Sequence, residues 1–456
     1  MPAQTALAQE QAREQTRSLF AHQRHARFFN FHIRMLPVQY TTTDTVRLAF
    51  VFFCIAALDT LGCLPYDDSE EKEDRESYGL PKVSEEQCAA WRDWIYDTCL
   101  LPSRDAFRCS PALSTGPSAD TDTPNIYDPG HAAGTYFALA TLLILRDDFS
   151  RIDRPAMMRF LSSCQRADGS FATGVLLGSN EHFGERDLRF GYCAAAARWI
   201  IGGDEIPGAA EFDLEAARRY IVAECVAYDG GIGMGGFTES HGGLSYCGVG
   251  TLELLSRGKT APREAVAEAM GEEGLQELVR WCLMHQTTVA DEREAFTDEE
   301  ESESEDEDED EDGLSLAGFN GRFNKPSDTC YSFWVGGTLA MLPSRTHSTT
   351  SALTLSDVRS NAAFLLQKTQ NTLLGGFAKC PGRSVQPDAL HAFFGIAALA
   401  LSADVAREEV GVEEMKRDEV WCGLLGLKGF DGALCIPADA VRYAEGLRRG
   451  WREGYV

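Results

Sequence analysis

The sequence has no apolar run long enough to cross a lipid bilayer. Its longest apolar stretches, Leu48 to Leu58 and Phe137 to Leu145, fall well short of the ~20 residues that a membrane helix needs. Met1 to Arg27 also lacks the apolar core and small-residue cleavage site of a secretory signal. We therefore expect no transmembrane segment and a cytoplasmic protein whose 14 cysteines remain reduced thiols.

Positive charge is also scarce. The 42 Lys and Arg residues face 70 Asp and Glu residues, for a formal net charge of −28 at pH 7, so nucleic acid is not an expected partner. Much of the negative charge lies in Asp298 to Asp312, which contains thirteen acidic residues and two serines. Because a dense run of like charges repels itself and stays hydrated, we expect a disordered insertion at about residues 289–317.

Helix-length apolar segments recur along the chain. Each begins at a polar or reactive residue and continues as a stretch rich in Ala and Gly, apolar nearly all round, which predicts a buried helix. The five clearest begin near His131, Arg189, His241, Cys330 and His391, and a sixth begins near Arg47. More amphipathic stretches that end in Gly-rich turns lie between them and predict outer helices.

The spacing of these segments predicts the fold. The five starts are 58, 52, 89 and 61 residues apart, and the longest interval contains the acidic insertion. Inner helices that are apolar all round can bury every face only if their repeat closes into a ring. We therefore expect an all-α fold, an α/α toroid of about six helical hairpins at residues 46–405. An N-terminal helical segment at 1–45 precedes it, and a C-terminal tail at 406–456 follows.

In such a ring every inner helix starts at the same rim, so residues far apart in sequence meet there. Asp328 and Cys330 form a D-x-C motif at one start, and His391 lies at the next. Carboxylate, thiolate and imidazole together suit zinc, and three protein ligands leave a fourth position open. Taken alone, the motif reads better as a helix cap with two core residues; the repeat register favours a metal site.

The same rim is expected to collect donors for a polyanion. Four residues are predicted to lie there: His241, Arg322, Lys325 and Tyr331, which supply imidazole, guanidinium, ammonium and phenol groups. Together they can hold a diphosphate and take up negative charge as it leaves, although each alone reads as an ordinary surface or core group. Aromatic side chains on the inner helices would be core packing or would wall an apolar tunnel for a lipid.

Three motifs carry a resemblance to a known family. ESHGGLSYCG at Glu239 to Gly248, NGRFNKPSDTCYSFW at Asn320 to Trp334, and GGFAK followed by PDALHAFFG at Pro387 to Gly395 occur in this order. In these motifs the chain resembles the β subunits of protein prenyltransferases, from about His25 to Leu401. The resemblance implies a heterodimer with a helical-repeat α subunit.

The resemblance also assigns roles to residues. It implies one zinc per β subunit on Asp328, Cys330 and His391, and it places the diphosphate on His241, Arg322, Lys325 and Tyr331. The residues expected to take part in catalysis are Asp328, Cys330, His391, Tyr331 and Lys379. The pocket for the last peptide residue and the lipid is implied at Ala49, Phe53, His131, Ala133, Arg189, Phe190 and Leu390, with Arg189 helping to recognise the terminal carboxylate.

Two positions favour the type I geranylgeranyltransferase branch of that family. Lys379 stands in GGFAK where the farnesyl and Rab-directed branches carry an aspartate associated with magnesium. Its ammonium group would bind the diphosphate in place of that ion, so magnesium would not be required. Ala49 stands where the farnesyl enzyme has a tryptophan, which leaves room for the fourth isoprene of geranylgeranyl diphosphate. The implied acceptors are C-terminal CaaX peptides ending in Leu or Phe, from small GTPases of the Rho type.

The sequence leaves other functions open. A farnesyltransferase or Rab-type geranylgeranyltransferase β subunit is the nearest alternative. A toroid that only binds a lipid or a partner helix, without catalysis, belongs to a different class, and one tightly held zinc per chain would favour the enzyme. A terpene cyclase would share the toroid, but the sequence has no DxDD-like acidic cluster of the kind that protonates a polyene.

Overall fold

The structure, a computed structural model, covers most of the toroid region. It describes residues 18–67, 75, 78–114, 128–176, 179, 181–259, 261–288, 316–345, 348–382 and 384–454. The acidic insertion expected at about 289–317 lies outside the described residues except for its last two positions. Its disorder therefore stays a prediction.

Helices alternate between an outer and an inner ring. In chain order they are α1 (His22–Arg34, outer), α2 (Arg47–Thr60, inner), α3 (Glu85–Cys99, outer), α4 (Ala132–Ile144, inner), α5 (Arg154–Ser163, outer), α6 (Leu188–Ile200, inner), α7 (Leu214–Arg219, outer, continued by a π-helical turn at Tyr220–Cys225), α8 (Gly242–Ser256, inner), α9 (Pro262–Leu283, outer), α10 (Thr329–Met341, inner), α11 (Val358–Phe364, outer, continued by a π-helical turn at Leu365–Thr369) and α12 (Ala389–Glu409, inner).

The inner helices close into a ring. Each of α2, α4, α6, α8 and α10 packs against the next inner helix, and α12 packs against both α10 and α2. Every inner helix is therefore covered by two ring neighbours and by the outer layer, which explains why its sequence is apolar all round. The predicted α/α toroid is confirmed, and the inner helices begin within two residues of the predicted positions.

A polar cap starts five of the inner helices. The side chain of the residue before the first turn accepts a hydrogen bond from a main-chain N–H of that turn. These caps are His131, Asp187, His241, Asp328 and Asp388. Two of the predicted starts, His131 and His241, are themselves caps, and the other three lie two or three residues after one. The caps set a circle of polar side chains at one rim.

Short antiparallel hairpins and 3₁₀ turns join the helices. The hairpins pair β1 (Gly174–Val175) with β2 (His182–Phe183), β3 (Gln286–Thr288) with β4 (Ala317–Phe319), β5 (Phe377–Ala378) with β6 (Pro387–Asp388), and β7 (Phe430–Asp431) with β8 (Ile436–Pro437). The 3₁₀ turns are Val38–Val46, Pro111–Leu113, Gly203–Glu205, Ala352–Leu355 and Cys422–Leu424. The β5–β6 hairpin runs directly into α12.

The segment after α12 closes the barrel at the end opposite the rim. It contains α13 (Val412–Met415), the β7–β8 hairpin and α14 (Ala438–Glu453). Buried Lys428 donates to Asp59 at the end of α2 over 2.6 Å, and Arg257, just after α8, donates to Asp431 over 2.7 Å. These charged contacts anchor the segment to the ends of the inner helices.

Two stretches are long and apolar enough by composition to cross a membrane, Val38–Thr60 and Ala389–Glu409. Of their most apolar windows, 56% and 83% of the residues are buried inside the molecule. The second stretch is α12, which lies between two ring neighbours. Packing in the ring accounts for its composition.

Buried histidines are expected to make the fold sensitive to acid. Burial lowers the pKa of His25 and His285 to about 4 from the ordinary 6.5. Below pH 6.5 the unfolded chain therefore binds protons that the folded chain excludes, and stability is lost as the pH falls from 6.5 towards 4. For His285 alone the loss at pH 5 is about 2 kcal/mol.

The variant His285→Phe tests this prediction. A phenyl ring keeps the aromatic contact with Trp281, whose ring centroid lies 3.9 Å from that of His285 with the planes tilted by 59°, and it cannot titrate. We expect its thermal midpoint to fall less than that of the wild type between pH 7 and pH 5. The same pH dependence in both proteins would show that the imidazole does not titrate in this range.

Candidate active site

Three potential metal ligands converge at the rim. Asp328 caps α10 and accepts a hydrogen bond from the Cys330 amide over 2.9 Å, which places the thiol in the first turn. His391 occupies the first turn of the neighbouring α12, and its Nε2 lies 3.4 Å from Asp328 Oδ1. One carboxylate oxygen, the sulfur and one imidazole nitrogen all lie within 4.8 Å of one another. This oxygen, sulfur and nitrogen donor set fits zinc.

Asp388 orients the imidazole, and sequence reasoning missed it. Its Oδ2 lies 2.6 Å from His391 Nδ1, and its Oδ1 accepts the main-chain N–H groups of Leu390 and His391. Nδ1 therefore carries a proton, and Nε2 faces Asp328. A carboxylate behind the imidazole is the usual support of a metal-binding histidine. The signal was present in PDALH, where a capping Asp precedes the His by three residues.

Proton affinities in the cluster are strongly shifted. Burial disfavours charge on His391, but its hydrogen bonds to Asp328 and Asp388 outweigh burial and raise its pKa to about 9. Burial and the nearby Asp328 carboxylate raise the pKa of the Cys330 thiol well above its usual value. A cation among these groups would take the place of protons, so metal binding is expected to release protons and to weaken in acid.

Lys379 lies beside the cluster. Its Nζ is 3.9 Å from Asp328 Oδ2, and 61% of its side chain is exposed. Its main chain is fixed, because Thr329 donates its amide to the Lys379 carbonyl over 2.8 Å and its hydroxyl to the Ala378 carbonyl over 2.6 Å. The ammonium group is therefore tethered at the mouth of the site but free to reorient there.

His241 and Tyr331 form a second pair at the rim. The His241 Nδ1 accepts the Gly243 amide over 3.0 Å, so its Nε2 carries the proton and lies 2.9 Å from the Tyr331 hydroxyl. Arg322 pairs with Glu239 over 3.2 Å. Burial and the Arg322 charge lower the pKa of His241, whereas burial raises the pKa of Tyr331. Both groups are thus neutral hydrogen-bond donors at neutral pH.

The loop that carries Arg322 is held close to the second pair. Gly242 donates its amide to the Gly321 carbonyl over 2.9 Å, and a Cβ atom on Gly321 would lie 1.9 Å from the Tyr331 ring. A glycine is therefore required for this approach. Lys325 is exposed in the same loop. Arg189, on the first turn of α6, pairs with Asp187, and its charge also acts on His241.

Most of the predicted pocket residues lie on the first turns of inner helices. Ala49 and Phe53 are buried one turn apart on α2, with 9% and 6% of their surfaces exposed. The rings of His131 and Phe190 meet edge to face, 6.0 Å apart. Ala133 and Leu390 are half-buried on the first turns of α4 and α12. The structure brings these residues to the rim end of the barrel. Their contacts with a substrate stay predictions.

Aromatic rings line the interior of the barrel. Successive ring centroids lie between 5.1 and 5.9 Å apart in a closed series with a member on every inner helix. The series runs through Phe52, Tyr136, Tyr192, Tyr246, Phe333, Phe394 and Phe393 and back to Phe52. All seven residues are buried, with at most 5% of their surfaces exposed, so the rings form the apolar centre of the barrel. That they wall a tunnel for a lipid stays a prediction.

Comparisons with known proteins agree with this geometry. The prenyltransferase α–α toroid domain model matches residues 20–436. The geranylgeranyl transferase type-1 subunit beta of Arabidopsis thaliana is 29% identical over 383 residues, which cover 84% of this chain and 85% of the relative. The subunit of the same name from Dictyostelium discoideum is 28% identical over 394 residues, which cover 82% and 89%.

A solved structure is similar throughout. It is the Candida albicans protein geranylgeranyltransferase-I complexed with GGPP, which matches with a TM-score of 0.70 and 23% sequence identity. The match covers 94% of this chain and 99% of that one. At this level of identity the match supports the fold.

Proposed function

This chain belongs to the prenyltransferase α–α toroid family, and from that premise we propose that it is the catalytic β subunit of a type I protein geranylgeranyltransferase. It would transfer the geranylgeranyl group from geranylgeranyl diphosphate to the cysteine of a C-terminal CaaX motif. The observation that carries the proposal is the cluster of Asp328, Cys330 and His391 at the rim of the barrel. Beside it lie cations and hydrogen-bond donors that could bind an anion. Both curated relatives described above carry the type 1 name.

Zinc is the proposed cofactor, held by Asp328, Cys330 and His391. When bound, zinc lowers the pKa of a thiol and so supplies a thiolate nucleophile at neutral pH. The contribution of the chain is orientation: Asp388 fixes the protonated nitrogen of His391, and the Cys330 amide fixes one oxygen of Asp328. All 14 cysteines are free, which agrees with the reducing cytoplasm that we propose as its location.

The second group of residues is proposed to hold the leaving diphosphate. The substrate sulfur forms a bond to the first carbon of the lipid while the carbon–oxygen bond breaks, and the electron pair leaves on the diphosphate. Arg322, Lys325 and Lys379 offer positive charge, and His241 and Tyr331 offer neutral N–H and O–H donors. Donors already in place where charge develops lower the barrier most.

The proposed partners follow the type I branch. The chain would act as a heterodimer with a prenyltransferase α subunit on CaaX peptides of Rho-type small GTPases. Apolar groups such as Phe53, Phe190 and Leu390 suit a terminal Leu or Phe. The small Ala49 and the cationic Lys379 favour this branch over a farnesyltransferase or a Rab-type enzyme.

One experiment tests the function directly. The chain is co-expressed with an α subunit, and transfer is measured with geranylgeranyl and farnesyl diphosphate on peptides that end in CaaL and CaaS. We expect the highest kcat/KM for geranylgeranyl on CaaL and one zinc per heterodimer. Faster transfer of farnesyl to CaaS would indicate a farnesyltransferase. Absence of both zinc and transfer would favour a non-catalytic lipid- or helix-binding toroid.

Magnesium dependence gives a further prediction. In zinc-containing buffer, removing magnesium should leave the wild-type rate unchanged, because the Lys379 ammonium supplies charge at the diphosphate. Lys379→Ala should lower kcat by about a hundredfold, the usual effect of losing one transition-state donor. Without magnesium, Lys379→Asp should be as slow as Lys379→Ala. Adding magnesium should restore part of its kcat.

The control is Lys416→Asp, a change at an exposed lysine that pairs with Glu413 on the surface after α12. It should keep the wild-type rate with and without magnesium. A wild-type enzyme that needs millimolar magnesium would contradict the role of Lys379.

A further inference from the structure

The β5–β6 hairpin carries two parts of the proposed site. Phe377 pairs with Asp388, and Ala378 pairs with Pro387. Lys379 follows β5, and Asp388, the last residue of β6, holds the His391 imidazole. Any movement of this hairpin would therefore shift the ammonium group and the metal-binding imidazole together.

The hairpin has little structure of its own and is held by its neighbours: Thr329 of α10 holds the end of β5, and α1 holds the turn before it. Each strand has two residues, and a pair this short is not stable alone. The turn before β5 contains Gly375 and Gly376, with φ of +83° and +79°. A Cβ atom on Gly375 would lie 2.2 Å from the Arg24 carbonyl oxygen of α1. The turn is thus pressed against the outer helix α1.

One side chain of α1 holds this turn by hydrogen bonds. His25 is fully buried, and its Nδ1 accepts the Gly376 amide over 2.9 Å. Because an amide can only donate, the proton of the neutral ring lies on Nε2, which donates to Gln370 Oε1 over 2.8 Å. The ring also stacks on Phe377 of β5, with centroids 4.9 Å apart and planes 2° apart.

Gln370 completes the link to the rest of the fold. Its Oε1 also accepts the Ala21 amide over 2.9 Å, and its side-chain NH₂ donates to the Leu19 and Leu366 carbonyls. The end of α11, the start of α1 and the Gly376 turn therefore share one largely buried network, in which His25 joins Gln370 to the turn. A satisfied buried network of this kind holds its members in a single arrangement.

We propose that His25 is a positioning residue for the metal and diphosphate site, which fixes the β5–β6 hairpin and through it Lys379 and the Asp388–His391 pair. The inference rests on the proposed function, because it assigns His25 to the site of that reaction. His25 would not contact zinc or either substrate. Its effect would pass through the Gly376 amide, the Phe377 ring and the strand that follows.

The test compares substitutions on one face of α1. His25→Leu removes both hydrogen bonds but keeps an apolar side chain, whereas His25→Asn keeps an acceptor for the Gly376 amide. The matched control is His22→Leu, because His22 is a buried histidine of the same helix whose ring stacks on Tyr78, 3.8 Å away, and not on the hairpin. Three quantities are measured on the heterodimer: zinc loss to a chelator, the KM for geranylgeranyl diphosphate, and amide hydrogen exchange in residues 371–380.

We expect His25→Leu to lose zinc about tenfold faster, the lower end of the effect of residues that support metal ligands. Its KM should rise, and its hairpin amides should exchange faster, while His25→Asn stays close to the wild type. His22→Leu should lower the thermal midpoint without changing these three quantities. Equal changes in these three quantities in His25→Leu and His22→Leu would overturn the proposal. Unchanged amide exchange at the hairpin in His25→Leu would overturn it too.

The readouts keep the two proposals apart. If the wild-type heterodimer binds zinc but transfers no prenyl group, the proposed function fails. Faster hairpin exchange and zinc loss in His25→Leu would then still identify His25 as the residue that fixes the metal ligands. If transfer is efficient and His25→Leu leaves the hairpin and zinc unchanged, only the positioning role fails.

Discussion

Ala49→Trp should lower kcat/KM for geranylgeranyl diphosphate about a thousandfold and leave use of farnesyl diphosphate nearly unchanged. Ala49 is buried on α2, one turn before Phe53. An indole there would occupy the space proposed for the fourth isoprene unit. That unit has five carbons, and at about 0.8 kcal/mol for each buried carbon its loss costs about 4 kcal/mol, or about a thousandfold.

The measurement is the ratio of kcat/KM for the two donors on one CaaL peptide. Ala49→Thr is the control, since it changes the same position with little added volume and should keep the wild-type preference. The thermal midpoint of both variants shows whether the larger side chain is tolerated. If Ala49→Trp folds and still prefers geranylgeranyl diphosphate, the tunnel does not pass Ala49.

The inner ring could be predicted from sequence because its signal is local and repeated. Each segment pairs a polar first residue with a stretch that is apolar on every face. His131, His241 and Asp328 are prominent in the sequence for the same reason that they cap helices in the structure: their side chains accept main-chain N–H groups. Once the segments were in register, closure of the ring brought distant residues to one rim.

The supporting contacts could not be predicted in this way. Lys428 meets Asp59 across 369 residues of sequence, and His25 meets Gln370 across 345. Each pair joins the repeat to a segment before or after it, so the periodic pattern of the repeat does not predict the contact. The partner of Arg322 was missed for a related reason, since a single glutamate, Glu239, is one of many in an acidic chain.

Two cations at the rim already lie beside carboxylates. Arg322 pairs with Glu239, and Lys379 lies near Asp328. The Arg322 pair is largely exposed, and exposed pairs contribute little stability. A diphosphate bound as proposed would therefore displace Glu239 at small cost, whereas an anion of lower charge would gain less from the exchange. This arrangement would favour a diphosphate over a monophosphate.

Cys330→Ala should remove bound zinc and reduce transfer by more than about a hundredfold, beyond the range typical of residues that only support a metal ligand. The change deletes one sulfur atom from a buried position and leaves the Asp328 cap of α10 in place. The thermal midpoint of the metal-free protein should therefore change little. Cys54→Ala is the matched control, because Cys54 is also buried on an inner helix, and only burial raises the pKa of its thiol.

A graded series separates a ligand from its support. Asp388→Asn keeps an oxygen for the α12 cap but weakens the hold on His391, so zinc affinity and transfer should fall about 10- to 100-fold. His391→Ala should resemble Cys330→Ala. Equal losses in all three variants would indicate a general disturbance of the rim. Full activity in Cys330→Ala would contradict a metal-held thiolate, because the remaining carboxylate and imidazole leave zinc with two protein ligands from this cluster.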